Sequence, residues 1–204
     1  MQCFRVQFGA TTLVFDPISK ESKLKSGKFG ADIALSSLNH PDMNGVENAE
    51  YAGKAPFSIT GPGEYEIKNV TVKGFPSKSG YGGKERINTV YTVNLENMNL
   101  CFLGAMKNGE IGKETAEAFE ENIDILFIPI GGDGVLSAAE AHKFVSKLEP
   151  KLVIPMHYEE TGVKGALSAF LKESSASGKP LDKLTVKMKD IESKSAEVVV
   201  LSVI

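Results

Sequence analysis

The strongest constraint on this chain is a change of hydrophobic rhythm near its middle. Residues 125–130 and 152–155 are uninterrupted apolar runs of strand length, and segments with helical periodicity follow them at 137–148 and 163–174. A strand that is apolar on both faces has to be covered on both, which is the situation of a sheet buried beneath helices. The first half behaves differently. Alternating, β-branched or aromatic stretches at 3–8, 11–15, 33–36, 57–59, 65–67, 70–72, 89–95 and 98–103 are separated by turn residues, among them Gly9-Ala10, Gly61-Pro62-Gly63 and Glu96-Asn97. A nearly all-β half followed by an alternating half predicts two sheets packed face to face with helices outside. A helix is expected at 114–122, and Ser137 with Glu140 three residues on forms a capping box at the start of the helix 137–148. Closing strands are expected near 184–187 and 198–203.

Length sets the scale of that architecture. At 204 residues, with 42% apolar and 24% charged side chains, the chain is expected to form one compact domain over residues 1–204. A formal charge of −3 argues against a surface organised around nucleic acid, which needs a clustered positive field. No signal-like apolar start follows Met1, and no apolar run approaches the roughly 20 residues of a membrane-spanning helix. Cys3 and Cys101 lie in separate strand-like runs, as buried free thiols would in a reducing compartment. Cytoplasmic residence without membrane or nucleic-acid partners is therefore expected.

Several stretches carry a resemblance. Leu13-Val14-Phe15-Asp16-Pro17, Asp32-Ile33-Ala34-Leu35-Ser36-Ser37 leading to His40-Pro41-Asp42, Gly61-Pro62-Gly63-Glu64-Tyr65-Glu66, the run 124–132 and the run 149–158 ending in Met156-His157-Tyr158 occur in this order. Together they resemble the small bacterial branch of metallo-β-lactamase-fold hydrolases. That resemblance implies an α/β fold of the four-layer αββα sandwich type. It also implies a dinuclear metal site built from His-x-His-x-Asp-His, a His-Leu-Gly-Asp stretch after a strand, and a last histidine after a Pro-Met pair. Here those places read Leu38-Asn39-His40-Pro41-Asp42-Met43, Phe102-Leu103-Gly104-Ala105 and His157. Only His40, Asp42 and His157 remain as ligands.

The chemistry of the survivors limits what the site can do. Two divalent ions held close together repel, and a bridging anion is what offsets the repulsion; with Ala105 in that place a dinuclear centre is not expected. A single zinc needs three protein donors and one open position, which His40, Asp42 and His157 can supply only if they converge. Leu38, Met43, Phe102 and Ala105 are expected to turn a wet, charged pocket into an apolar one. That environment favours neutral histidines hydrogen-bonded to a carboxylate. The expected function is accordingly a non-catalytic binding or structural domain with a vestigial site at His40, Asp42 and His157, no cofactor, and a small-molecule ligand or self-association. The alternative is a hydrolase of an ester, amide or phosphoester with one Zn on the same three residues.

Other constellations add little. His142 falls inside a helix and is read as packing or solvated, and no Gly-x-Ser-x-Gly elbow exists. Gly131-Gly132-Asp133-Gly134 precedes a helix without the spacing or lysine of a phosphate loop, and is read as a turn. The polar loops 18–30, with Lys20, Lys23, Lys25 and Lys28, and 77–86, with Lys78, Tyr81, Lys84 and Arg86, are read as solvated, although the second can bind an anion. Asp16 and Glu64 are expected to brace loops around the old site.

Overall fold

The computed structural model describes residues 2–25, 27, 29–119 and 122–202. The chain opens with a hairpin, β1 (Phe4–Phe8) and β2 (Thr11–Phe15), whose antiparallel register pairs Phe4 with Phe15 and Phe8 with Thr11. Next come β3 (Ile33–Leu35) and β4 (Phe57–Ile59), each parallel to its neighbour, which complete a four-stranded sheet of order β1-β2-β3-β4. The second sheet has seven strands in the order β11-β10-β9-β8-β7-β6-β5. A meander of β5 (Gly63–Ile67), β6 (Val70–Ser79), β7 (Arg86–Leu95) and β8 (Met98–Phe102) forms its antiparallel part. Beyond β8 the sheet turns parallel through β9 (Ile125–Pro129), β10 (Leu152–Met156) and the short edge strand β11 (Glu197–Val198).

Side-chain alternation along these strands divides the apolar residues into two cores. Leu13, Phe15, Ile33 and Leu35 from one sheet meet Val72, Tyr91, Val93, Phe102, Phe127 and Ile154 from the other. Their neighbours Cys101, Leu103, Leu126, Ile128 and Val153 point outward, onto Phe119 of α1 (Lys113–Phe119), Phe144 and Val145 of α2 (Ala138–Leu148), and Phe170 of α3 (Ala166–Glu173). The two sheets thus pack face to face beneath helices, as the rhythm of the sequence predicts. On the opposite outer face, Val14 and Ala34 are covered by Phe29, Val46 and Ala49, the last two from a 3-10 turn, Val46–Ala49. Helical cover there is a single turn.

Three local expectations are corrected. Polar content places a loop at 77–86, yet β6 runs to Ser79 and β7 begins at Arg86, because the register from Thr71–Asn94 to Ser79–Arg86 continues through it. Cross-strand pairing outweighs the loop-like composition. Residues 184–187 form no strand: the edge beside β10 belongs to β11, and Leu184 and Val186 pack against the inter-sheet core just before α4 (Met188–Ile191). The closing strand shortens to Glu197–Val198. Lys28 of the first basic loop, Glu120 and Glu121 of the expected helix, and Val203 of the closing strand lie outside the described residues. Among the described residues no helix is long and apolar enough to cross a membrane.

Candidate functional site

The carboxyl ends of β2, β3, β8, β9 and β10 open toward one rim, where crevices of layered α/β sheets usually form. Asp16 follows β2, His40 and Asp42 lie on the segment after β3, Ala105 follows β8, and His157 follows β10. The turn between β6 and β7 brings Tyr81 to the same rim. Two glycines make the crowding possible. Gly104 has φ +60°, and a Cβ there would lie 2.5 Å from the Ser37 Cβ; a Cβ on Gly131 would lie 2.0 Å from the His157 carbonyl oxygen. Neither position admits a side chain.

Asp42 is the hub of the exposed half of the site. Its Oδ2 accepts a 2.6 Å hydrogen bond from the Tyr81 hydroxyl, its Oδ1 accepts from Ser22 Oγ, and its backbone N–H donates to His40 Nδ1 at 3.2 Å. That last bond uses the lone pair of Nδ1, so a neutral His40 carries its proton on Nε2. Burial holds the His40 pKa below the ordinary value, with the Asp42 charge opposing. The tyrosine ring separates the two histidines, lying edge-on to His40 at 4.9 Å between ring centroids and edge-on to His157 at 4.8 Å.

His157 is nearly inaccessible, and burial pushes its pKa down to about 3, so the ring is neutral at physiological pH. Its Nδ1 lies 2.7 Å from Gln2 Oε1, while its Nε2 is buried and has no hydrogen-bond partner. An orphaned ring nitrogen of this kind is uncommon in a native fold and marks a place where something else can bind. Gln2 in turn donates to Asp16, whose carboxylate also accepts from Ser37 N–H at 2.6 Å and Ser37 Oγ at 2.7 Å. Burial raises the Asp16 pKa to about 7 against those three hydrogen bonds. Asp16 therefore braces the rim as expected, whereas Glu64 sits exposed within β5, opposite Lys73 of β6, and takes no part.

Between Asp42, Met43, Tyr81 and His157 lies a recess of about 10 Å³, closed by Gln2, Ile18, Leu24 and Thr161. That is room for one water molecule or one bare ion. A larger hollow, about 240 Å³, lies across β6, β7 and β8 beside Thr71, Lys73, Asn94 and Asn99 and shares no residue with this rim.

The replaced ligand positions do not all behave alike. Leu38, Met43 and Ala105 are buried together with Val135 and touch Tyr81, so hydrocarbon lines that side of the rim. Phe102 is elsewhere: it faces the inter-sheet core and stacks on Phe15 at 4.7 Å. Strand alternation is the reason, since Phe102 and the outward Leu103 are consecutive. The 103–105 segment is held by Asn88, which donates to the Leu103 carbonyl at 3.0 Å and accepts from Ala105 N–H at 2.8 Å. Among the described residues, no three His, Cys, Asp or Glu side chains are grouped so as to hold a metal ion. His40 and Asp42 are adjacent, and His157 lies beyond the Tyr81 ring.

Comparison with known proteins starts from this arrangement. A family model described as a beta-lactamase superfamily domain matches residues 1–157. The chain belongs to the metallo-β-lactamase superfamily. Among its relatives is a UPF0173 metal-dependent hydrolase from Natranaerobius thermophilus, 26% identical over 180 residues that cover 76% of this chain and 79% of that one. A structure from Thermotoga maritima assigned to the same superfamily is 23% identical with a TM-score of 0.69, covering 99% of this chain and 95% of the other. A diiron β-hydroxylase from Streptomyces venezuelae shares the fold at 12% identity and a TM-score of 0.62, covering 98% of this chain and 51% of that one.

These relatives correct the expectation that no cofactor is needed, because metal dependence is written into their names. The physical reason is visible at the rim. Counting lost ligands overlooked that the neutral, unpartnered Nε2 of His157 and the Asp42 carboxylate still border one recess. These two side chains are the candidate donors for a single ion there. Beside them Leu38, Ala105 and Val135 offer no donor side chain.

The remaining expectations concern helices and loops. His142 Nδ1 lies 3.3 Å from Ser174 Oγ, joining α2 to the end of α3. The glycine-rich segment 131–134 is a turn into α2, where Ser137 and Glu140 exchange the hydrogen bonds of a capping box. Arg86 is held by the Tyr81 carbonyl at 2.7 Å. Sequence reasoning missed two participants. Tyr81 carried only the weak signal of an aromatic in a basic loop, and Gln2, two residues from Phe4, carried none.

Proposed function

We propose that this protein is a non-hydrolytic member of its superfamily, a binding domain that takes a single divalent cation at His157 and Asp42 in place of the dinuclear centre. The observation that carries this reading is the orphaned Nε2 of His157, buried in a recess that it shares with the Asp42 carboxylate. A cation bound there would fill the recess and tie the Asp42 segment to the end of β10. Three features of the chain speak against hydrolysis. Two strong donors fall short of the three that a hydrolytic zinc site needs. His40 uses its Nδ1 on the Asp42 backbone, and the recess holds no more than a single small particle. A cytoplasmic setting suits the two free cysteines, of which Cys101 is fully buried.

Protein prepared without chelator and dialysed against Zn2+ or Mn2+ is expected to retain one equivalent by elemental analysis. His157→Gln should lose it and His40→Gln should keep it. Retention of two equivalents, or ester, amide or phosphoester hydrolysis that disappears with His157→Gln, overturns the proposal; the second result establishes the single-metal hydrolase on His40, Asp42 and His157 instead.

A further inference from the structure

The hydrogen bonds behind His157 determine which of its nitrogens can meet an ion. We propose that Asp16 and Gln2 are positioning residues, a two-step relay that locks His157 as the Nδ1–H tautomer and so presents the Nε2 lone pair to the recess. This deepens the proposed single-cation reading and rests on it for the identity of the ligand.

Each step follows from donor and acceptor capacity. Asp16 is wholly buried at the end of β2, and both its oxygens face donors: Ser37 N–H at 2.6 Å, Ser37 Oγ at 2.7 Å, and the Gln2 side-chain amide. Once ionised, as at about pH 8, Asp16 only accepts, so Gln2 has to turn its NH2 group toward it. That leaves Gln2 Oε1 facing His157 Nδ1 at 2.7 Å. An amide oxygen also only accepts, so Nδ1 carries the hydrogen. If Nε2 were protonated as well, a charged N–H would be buried without a well-formed hydrogen bond, with the Thr161 backbone as the nearest group that favours it and burial outweighing that help. The ring is therefore neutral and Nε2 is bare. Orienting partners of this kind commonly fix the tautomer of a metal-binding histidine and raise its basicity.

The relay joins three separate parts of the fold. Gln2 precedes β1, Asp16 ends β2 in a left-handed conformation at φ +46°, and His157 follows β10 in the other sheet at φ +57°. One amide side chain thus ties the two sheets together at the rim.

Nitrogen-15 multiple-bond correlation spectra of the histidine rings, recorded at about pH 8 without added metal, test this directly. The His157 signals are identified by their loss in His157→Gln. The native protein should show the Nδ1–H pattern. In Asp16→Asn the new amide donates toward Gln2, whose side chain turns over, and His157 should convert to the Nε2–H pattern. Gln2→Met removes the relay without moving Asp16 and should abolish the tautomer preference, which keeps the test available if Asp16→Asn does not fold. Both variants should bind Zn2+ about 10- to 100-fold more weakly. An Nε2–H pattern in the native protein, or an Nδ1–H pattern that survives both substitutions, overturns the relay. An Nδ1–H pattern that depends on Gln2 in a protein that takes up no Zn2+ upholds the relay and overturns the single-cation reading.

Discussion

At the scale of single residues, two buried ionisable groups at the rim pull stability in opposite directions with pH. Burial raises the Asp16 pKa from 3.8 to about 7, so between those values the folded state holds a proton that the unfolded chain has released. Stability from this group therefore falls as pH rises from about 4 to about 7. His157 is the mirror case: burial lowers its pKa from 6.5 to about 3, and its contribution, full above 6.5, is lost as pH falls toward 3. Asp16→Asn removes the first effect and leaves His157 buried. In urea denaturation its stability relative to the native protein should improve by up to a few kcal/mol between about pH 4.5 and 7.5. An offset between the two proteins that stays constant over this range would show that Asp16 is not strained by burial. Residue identity alone revealed half of this site. The histidines and Asp42 are chemically conspicuous in any sequence, but Gln2 and Tyr81 are ordinary residues whose roles come from what faces them.

At the scale of elements, local signals succeeded where the backbone satisfies itself and failed where another strand supplies the partner. The start of α2 is of the first kind, because its capping box uses only Ser137 and Glu140, three residues apart. Ser137→Ala should destabilise the protein by about 1 kcal/mol in thermal or urea unfolding while leaving metal uptake unchanged. No loss of stability would mean that α2 is held by Phe144 and Val145 against the sheet alone. The extension of β6 to Ser79 is of the second kind. Its polar residues look like loop, and only the facing strand β7 turns them into sheet. That extension shapes the rim, since it shortens the connecting turn and delivers Tyr81 onto Asp42.

At the scale of the whole molecule, the core between the sheets and the candidate site are separate structures that meet along the strands' carboxyl ends. Phe102 illustrates the separation. It stands where the resembled family has a metal ligand, yet it is fully buried against Phe15. Phe102→Ala should cost about 3–5 kcal/mol of stability, as expected for a large core aromatic, with the protein still binding one cation when folded. A loss of metal uptake in a variant of nearly native stability would place Phe102 in the site instead. Layer order, the two sheets and the helical cover were legible in the sequence, because burial on one face or two imposes a period that a single chain displays by itself. The chain also displayed apolar residues at places where the resembled family has ligands. Only the tertiary structure decided what His40, Asp42 and His157 face. Hydrogen-bond direction and the distance across Tyr81 depend on residues more than a hundred positions apart, as Gln2 and His157 are, and no periodicity along the chain encodes such a contact.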